Sequence, residues 1–184
     1  HVRSRRQRQM CIRDRLVVAH VGDSIALLVR GGVPYELTAP HKPAVPEELA
    51  RITRAGGWVT GRAPHGGRVN GVLAVSRSFG DVEYKTLKEA AWVQPFADDL
   101  VSARPDVLAT ALTPSDECVV VASDGLWDAL TYDEVATVCV EWRSVHGGAA
   151  RGLPQLLARR AVERNVQDNV TVVVATFTHA APEP

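Results

Sequence analysis

From Leu16 onward the chain alternates short apolar runs with polar breaks. LVVAHVG (residues 16–22) and SIALLVR (24–30) are rich in β-branched and aliphatic residues and are divided by Asp23-Ser24, so each reads as a strand. Gly31-Gly32 supplies a turn and VPYELT (33–38) a further short strand, which predicts two or three antiparallel strands at the start. PEELARITRAGG (46–57) predicts a short helix: proline stands in the first turn, Leu49, Ile52 and Thr53 share a face, and Gly56-Gly57 ends it. Trp58 to Val69 reads as a polar loop, and RVNGVLAVSRSFGD (68–81) holds an apolar VLAV core between glycines. Val82 to Ala103 has no clear period, only the aromatic anchors Tyr84, Trp92 and Phe96.

After Pro105 the pattern sharpens. DECVVVASDG (116–125) is an apolar run of strand length that ends in an Asp-Gly turn signal. Thr131 and Glu134 have capping-box spacing, and Val135, Val138, Cys139 and Trp142 form the i, i+3, i+4, i+7 stripe of an amphipathic helix. Gly147-Gly148 breaks that helix, and a second is expected from about Leu153 to Arg164 with Leu156, Leu157, Ala161 and Val162 inward. VTVVVATF (170–177) predicts a buried strand and THAAPEP (178–184) a tail. Strands, a helical pair and a final strand predict an α+β domain with antiparallel sheets, with no internal repeat and no linker to mark a second domain.

Composition narrows the class. Of 184 residues, 46 % are hydrophobic and 23 % charged, which argues against a disordered or collagen-like chain. No apolar run approaches the length of a bilayer span, and Cys11, Cys118 and Cys139 show an odd count and no CxxC spacing. The expected setting is a reducing, intracellular one, cytoplasm or nucleus, with no membrane partner.

The formal charge is zero, 21 basic against 21 acidic residues, but its distribution is uneven. Residues 1–15 hold six arginines and one acid, so removing them leaves 15 basic and 20 acidic residues, a charge of −5 from Leu16 onward. This leader has three readings: a basic arm for phosphate-rich partners, a disordered tail, or non-native sequence. The third is favoured, because RRQRQMCIRD (5–14) matches a read-through translation of a common transposon-end sequencing adapter. The expected organisation is then a leader over 1–15, a catalytic-type domain over 16–178 and a tail over 179–184, with no nucleic-acid partner.

Three motifs place an acid beside a turn at a strand end: VGDS (21–24), ASDGLWD (122–128) and QDNVT (167–171). Singly, each is ordinary turn chemistry. Together they can converge on one end of a sheet, where clustered carboxylates repel unless a hard cation neutralises them. Neither His20, His41, His65, His146 and His179 nor Cys118 and Cys139 form a zinc-type set, so these histidines are expected to face solvent or cap. Asp23, Asp124, Asp128 and Asp168 are the candidate ligands, and isolated aspartates suit Mg²⁺ or Mn²⁺.

The ordered series VAHVGDS, LTAPHKP, RVNGVLAVSRSFGD, ARPDV, ECVVVASDGLWDAL and DNVTVVVATF resembles the C-terminal two-thirds or so of the type 2C, metal-dependent protein Ser/Thr phosphatases. That resemblance implies a layered α-β-β-α sandwich of two antiparallel sheets flanked by helices. It also implies a Mg²⁺/Mn²⁺ cluster whose bridging water attacks phosphoserine or phosphothreonine of a phosphoprotein substrate. Asp124 and Asp168 are similar to ligands of the paired catalytic metals, whereas Asp23 and Asp128 resemble residues of a third, weaker site that shares Asp124. Arg77, Ser78 and Asp81 are expected to be structural, and Arg62, His65 and Arg68 to lie in a solvated flap over residues 40–67. Ile25 stands where the family usually has Arg, and Pro40 where it usually has Asp. The family's N-terminal acidic segment, phosphate-binding Arg and DGHGG turn with its candidate general-acid His do not occur in this sequence. The expectation is therefore an N-terminally truncated piece of a monomeric phosphatase with little activity of its own. The alternatives are a pseudophosphatase interaction module and a basic-arm regulatory protein.

Overall fold

The structure, a computed structural model, describes residues 15–61, 66–86 and 96–178. Its strands are β1 (Arg15–His20), β2 (Ile25–Arg30), β3 (Val33–Glu36), β4 (Val59–Thr60), β5 (Arg68–Val69), β6 (Asp106–Ala111), β7 (Asp116–Ala122) and β8 (Val172–Thr176). Its helices are α1 (Pro46–Arg54), α2 (Asp124–Trp127), α3 (Tyr132–His146) and α4 (Leu153–Glu163). This is an α+β fold with antiparallel sheets. Among the described residues no helix is long and apolar enough to cross a membrane.

Two compact units are interleaved in sequence, which is why no linker marks them. Among the described residues the first comprises 15–19, 24–38 and 107–178. Its centre is an antiparallel sheet of order β3-β2-β7-β8, in which Leu27 pairs with Val120 and Val120 with Val174. β2 is buried along nearly its whole length because both of its faces are covered. On one face Leu27, Val29, Cys118, Val120 and Ala122 pack against Val135, Val138 and Cys139 of α3 and Leu153, Leu157 and Ala161 of α4. On the other, Ala26, Leu28 and Val119 meet Leu16 and Val18 of β1. Fully burying each such leucine contributes about 1.5–3 kcal/mol.

The capping box forms as expected: the Glu134 amide donates to the Thr131 hydroxyl at 3.3 Å, and the Thr131 amide donates to the Glu134 carboxylate at 2.9 Å. Gly147 ends α3 in the left-handed region at φ 61°, where a glycine meets no Cβ penalty. Three expectations need correction. β1 does not continue the β2–β3 hairpin but joins β6 in a separate two-stranded sheet, and β6 itself has an exposed pattern that the apolar reading passed over. β8 is not buried on both faces; it is an edge strand with alternating burial, and Val173 is 59 % exposed. In α4 the inward residues are Leu153, Leu157 and Ala161, while Val162 is 61 % exposed.

Among the described residues the second unit comprises 20–23, 39–61, 66–86 and 96–106. Ile52, Ala55, Val69, Tyr84, Leu100 and Val101 form its core, with Phe96 packed against it, and Trp92 lies outside the described residues. The supposed loop from Trp58 to Val69 contains the short antiparallel β4–β5 ladder. The apolar VLAV segment is only partly buried: Val72 is exposed, and Leu73 forms an isolated bridge to Val69. The buried face of α1 is Glu48 and Ile52 rather than Leu49, Ile52 and Thr53, with Leu49 40 % exposed. An apolar-period argument cannot anticipate a buried glutamate. Its carboxylate is satisfied by Arg51 at 2.8 Å and Arg77 at 2.6 Å.

Candidate metal centre

In the first unit the end of β7 turns directly into α2, so Asp124 begins a single helical turn and Asp128 closes it. Asp168 and Asn169 lie just before β8, whose Val172 pairs with Ala122 at the end of β7. Ser123 ties the two strand ends together. Its amide donates to Thr171 O at 3.1 Å, its hydroxyl accepts from the Thr171 amide at 3.1 Å and donates to Asn169 O at 3.1 Å. A Cβ on Gly125 would sit 2.5 Å from Asn169 O, a distance real side chains do not show, so the glycine permits the Asp124 turn to approach the Asp168 loop. One oxygen of each carboxylate accepts the following amide: Gly125 to Asp124 at 3.0 Å and Asn169 to Asp168 at 2.7 Å.

Asp128 and Asp168 line one open cleft together with Arg164, Asn165 and Gln167. The Arg164 guanidinium is committed elsewhere, donating to Ala129 O at 2.9 Å and to the Glu134 carboxylate at 2.9 and 2.5 Å. That pairing, with the Thr131 amide, holds the Glu134 carboxyl down at about 2.

Asp23 belongs to the second unit. It follows Gly22, whose φ is 103°, and its carboxylate is held by the Lys42 ammonium. Of the expected residues, then, the structure brings the Asp124 and Asp168 loops into contact, and Asp128 and Asp168 line the same cleft. All are hard oxygen donors on a rigid sheet end, a donor type suited to Mg²⁺ or Mn²⁺ rather than zinc. Among the described residues no group of three or more His, Cys, Asp or Glu side chains is gathered tightly enough to hold a metal.

Sequence reasoning missed a buried polar network in the second unit. His41 is 4 % exposed, contrary to the expected solvent-facing or capping role. Its ring lies between the Gly22 amide at 3.1 Å and Asp106 at 3.1 Å, and stacks on His20 at 4.3 Å. Burial holds the imidazole below its ordinary value, against the pull of Asp106 and with added repulsion from Arg77 and His20. Arg77 is structural as expected, but its partners are Glu48 and Asp106 rather than Asp81, which accepts from the Ser78 hydroxyl. Arg68 donates to Val72 O at 2.6 Å within its own turn, and Arg62 and His65 lie outside the described residues. Spacing held no signal for His41, whose partners are distant in sequence.

These features define a class: an antiparallel-sheet α+β domain that presents carboxylates from the ends of adjacent strands. Within it the chain belongs to the protein phosphatase 2C family, whose family model matches residues 7–170. Protein phosphatase 2C 57 of Arabidopsis thaliana is 36 % identical over 182 residues, covering 88 % of this chain and 45 % of that protein. Probable protein phosphatase 2C 68 of Oryza sativa subsp. japonica is 42 % identical over 164 residues, covering 88 % and 41 %. The chain thus spans less than half the length of these two relatives. Among solved structures, a phosphatase from Toxoplasma gondii aligns with TM-score 0.71 at 29 % identity, over 90 % of this chain and 50 % of that one. A C. elegans sex determining protein aligns with TM-score 0.75 at 22 % identity, over 95 % and 43 %, a likeness of fold.

Proposed function

We propose that this chain is part of a protein serine/threonine phosphatase that hydrolyses phosphoserine and phosphothreonine on proteins with Mg²⁺ or Mn²⁺. The observation that carries the reading is the contact between the Asp124 turn and the Asp168 loop, locked by Ser123 and permitted by Gly125. Divalent cations, when bound, supply neutralising charge for a phosphoester oxygen and make water a better nucleophile at neutral pH. Asp124 and Asp168 are the side chains that would hold the catalytic pair. The protein's own contribution is orientation: Asp124 and Asp168 each spend one oxygen on the amide that follows, which restrains both carboxylates before any ligand arrives.

The general acid and the phosphate-binding arginine are assigned to sequence outside this chain. The 184-residue chain alone is accordingly proposed to have little or no phosphatase activity. Phosphopeptide hydrolysis with and without Mn²⁺ tests both statements. A form of the protein extended upstream should turn over and lose at least about a hundredfold in rate when Asp124 or Asp168 becomes asparagine. Turnover by the 184-residue chain would refute the second statement, and a metal-independent extended form the first.

A further inference from the structure

We propose that Cys118 and Cys139 form a peroxide-reactive pair, with Cys118 as the nucleophile and Cys139 as the resolving thiol, which hydrogen peroxide closes into a reversible intramolecular disulfide. The proposal depends neither on the phosphatase reading nor on any cation.

Both cysteines lie in the first unit. Cys118 stands on β7 between Val29 of β2 and Thr176 of β8, and Cys139 on the inward face of α3. They are buried, yet both line one small cavity with a free volume of about 10 Å³. That is room for a water or for hydrogen peroxide, and for nothing as large as an alkylating reagent or glutathione. Trp142, one turn along α3 from Cys139, walls the cavity. Its indole donates to Ala149 O at 2.8 Å, stacks on His146 at 3.7 Å, and sits where a Cβ on Gly152 would come within 2.9 Å. A wall held from three sides does not collapse onto the thiols, so the space persists. Glu117 lines the cavity too. One of its carboxylate oxygens accepts the Gly32 amide at 3.1 Å, and the other is buried without a hydrogen-bond partner, the kind of acceptor that a small hydroxylic guest satisfies.

The two thiols are unequal. Hydrogen bonding with Cys139 lowers Cys118 against burial and Glu117, and the Arg143 guanidinium, which reaches Glu117 O at 3.5 Å, adds to the lowering. The same contact, with burial, pushes Cys139 up. Cys118 is therefore the sulfur with thiolate character and Cys139 the one that keeps its proton. The Cys118 thiolate attacks one peroxide oxygen and the O–O bond breaks. The departing hydroxide takes up the proton that Cys118 released, which leaves a sulfenic acid and one water. The Cys139 sulfur then attacks the Cys118 sulfur, the S–O bond breaks, and the oxygen leaves with the Cys139 proton as a second water. Two thiols are oxidised and one peroxide is reduced to two waters. The bridge brackets residues 118–139, which carry Asp124 and Asp128, so oxidation ties α3 to the strand that ends in the Asp124 turn.

The test treats the folded 184-residue chain with hydrogen peroxide, removes the excess with catalase, and unfolds the protein in N-ethylmaleimide before non-reducing peptide mapping. A linked Cys118–Cys139 peptide that dithiothreitol abolishes is expected. A map without it, or one dominated by bridges to Cys11, overturns the proposal, and so does a linked peptide that forms only when the chain is already unfolded in urea. Two variants read the order of attack. Cys139→Ser should leave Cys118 at the sulfenic acid, trapped by dimedone after unfolding, and Cys139 in Cys118→Ser should oxidise at least about tenfold more slowly than that. Equal rates, or the reverse order, overturn the proposal. Where either variant does not fold, the map of the unmutated chain decides by itself.

Discussion

Replacing Gly125 with alanine tests the strand-end geometry on which the candidate centre depends. The new Cβ would lie 2.5 Å from Asn169 O, 3.2 Å from Asn169 C and 3.3 Å from a Val170 methyl carbon. The first contact is with backbone, so no side-chain rotation relieves it, and the Asp168 loop must move by roughly 0.5–1 Å. Overpacking of this kind costs about 1–3 kcal/mol, and the better helix propensity of alanine offsets at most about 1 kcal/mol. A net loss of about 1–2 kcal/mol lowers Tm by roughly 2–8 °C for a chain of this size. The same displacement moves the Asp168 loop away from Asp124, so under the proposed function Mn²⁺ affinity should fall as well. Gly147→Ala is the control: its φ of 61° makes alanine strained, but nothing lies within 4 Å of the new Cβ and the site is at the far end of α3. That variant should lose about 1 kcal/mol through the left-handed conformation alone and keep its Mn²⁺ affinity. Thermal melts by circular dichroism and Mn²⁺ titration calorimetry read the two quantities. A G125A protein with the parent's Tm, or a G147A protein with an equal loss of Mn²⁺ affinity, would refute the reasoning.

Further expectations concern stability and thiol chemistry. Thr131→Ala removes the N-cap of α3 and should cost about 1 kcal/mol, a fall of roughly 2–4 °C in Tm. At Asp116, burial alone would raise the carboxyl, but the Arg30 guanidinium and the Thr113 amide outweigh it and hold the group below its ordinary value; Glu134 sits lower still, at about 2. Both groups have folded values below their unfolded ones, so their stabilisation is complete above the unfolded carboxyl range and is lost as pH falls through the folded values. Urea midpoints measured from pH 5 down to 2.5 should therefore decline, and Asp116→Asn should flatten the decline; an unchanged slope in that variant contradicts the assignment. Cys118 and Cys139 are 3 % and 2 % exposed, and the Cys118 thiol together with burial pushes the Cys139 thiol up. Peptide-mapped labelling should find both unreactive until the chain is unfolded in denaturant, and rapid modification of Cys139 in the folded protein would contradict the packing.

Elements set by neighbouring residues were legible in the sequence. The capping box at Thr131 and Glu134, the α3 stripe, the Gly147 stop and the β7 run all appear where the local pattern placed them, because each rests on contacts within a few residues. The acidic turns were legible for the same reason, as Asp-Gly and Asp-Asn pairs beside apolar runs. Tertiary structure alone decided the rest. It moved β1 from the hairpin to a partnership with β6, since strand pairing is set by the covering of both faces of β2 rather than by adjacency. It buried Glu48 and His41, which hydropathy puts outside, because Arg77 and Asp106 arrive from 29 and 65 residues away to neutralise them or bond to them. And it brought the Asp124 turn against the Asp168 loop across the paired ends of β7 and β8, a contact across more than forty residues that exists because Ser123 bonds both strands and Gly125 has no side chain to prevent it. Residue types and local turns were written in the chain; which of them meet depends on long-range desolvation and pairing, which no local pattern encodes.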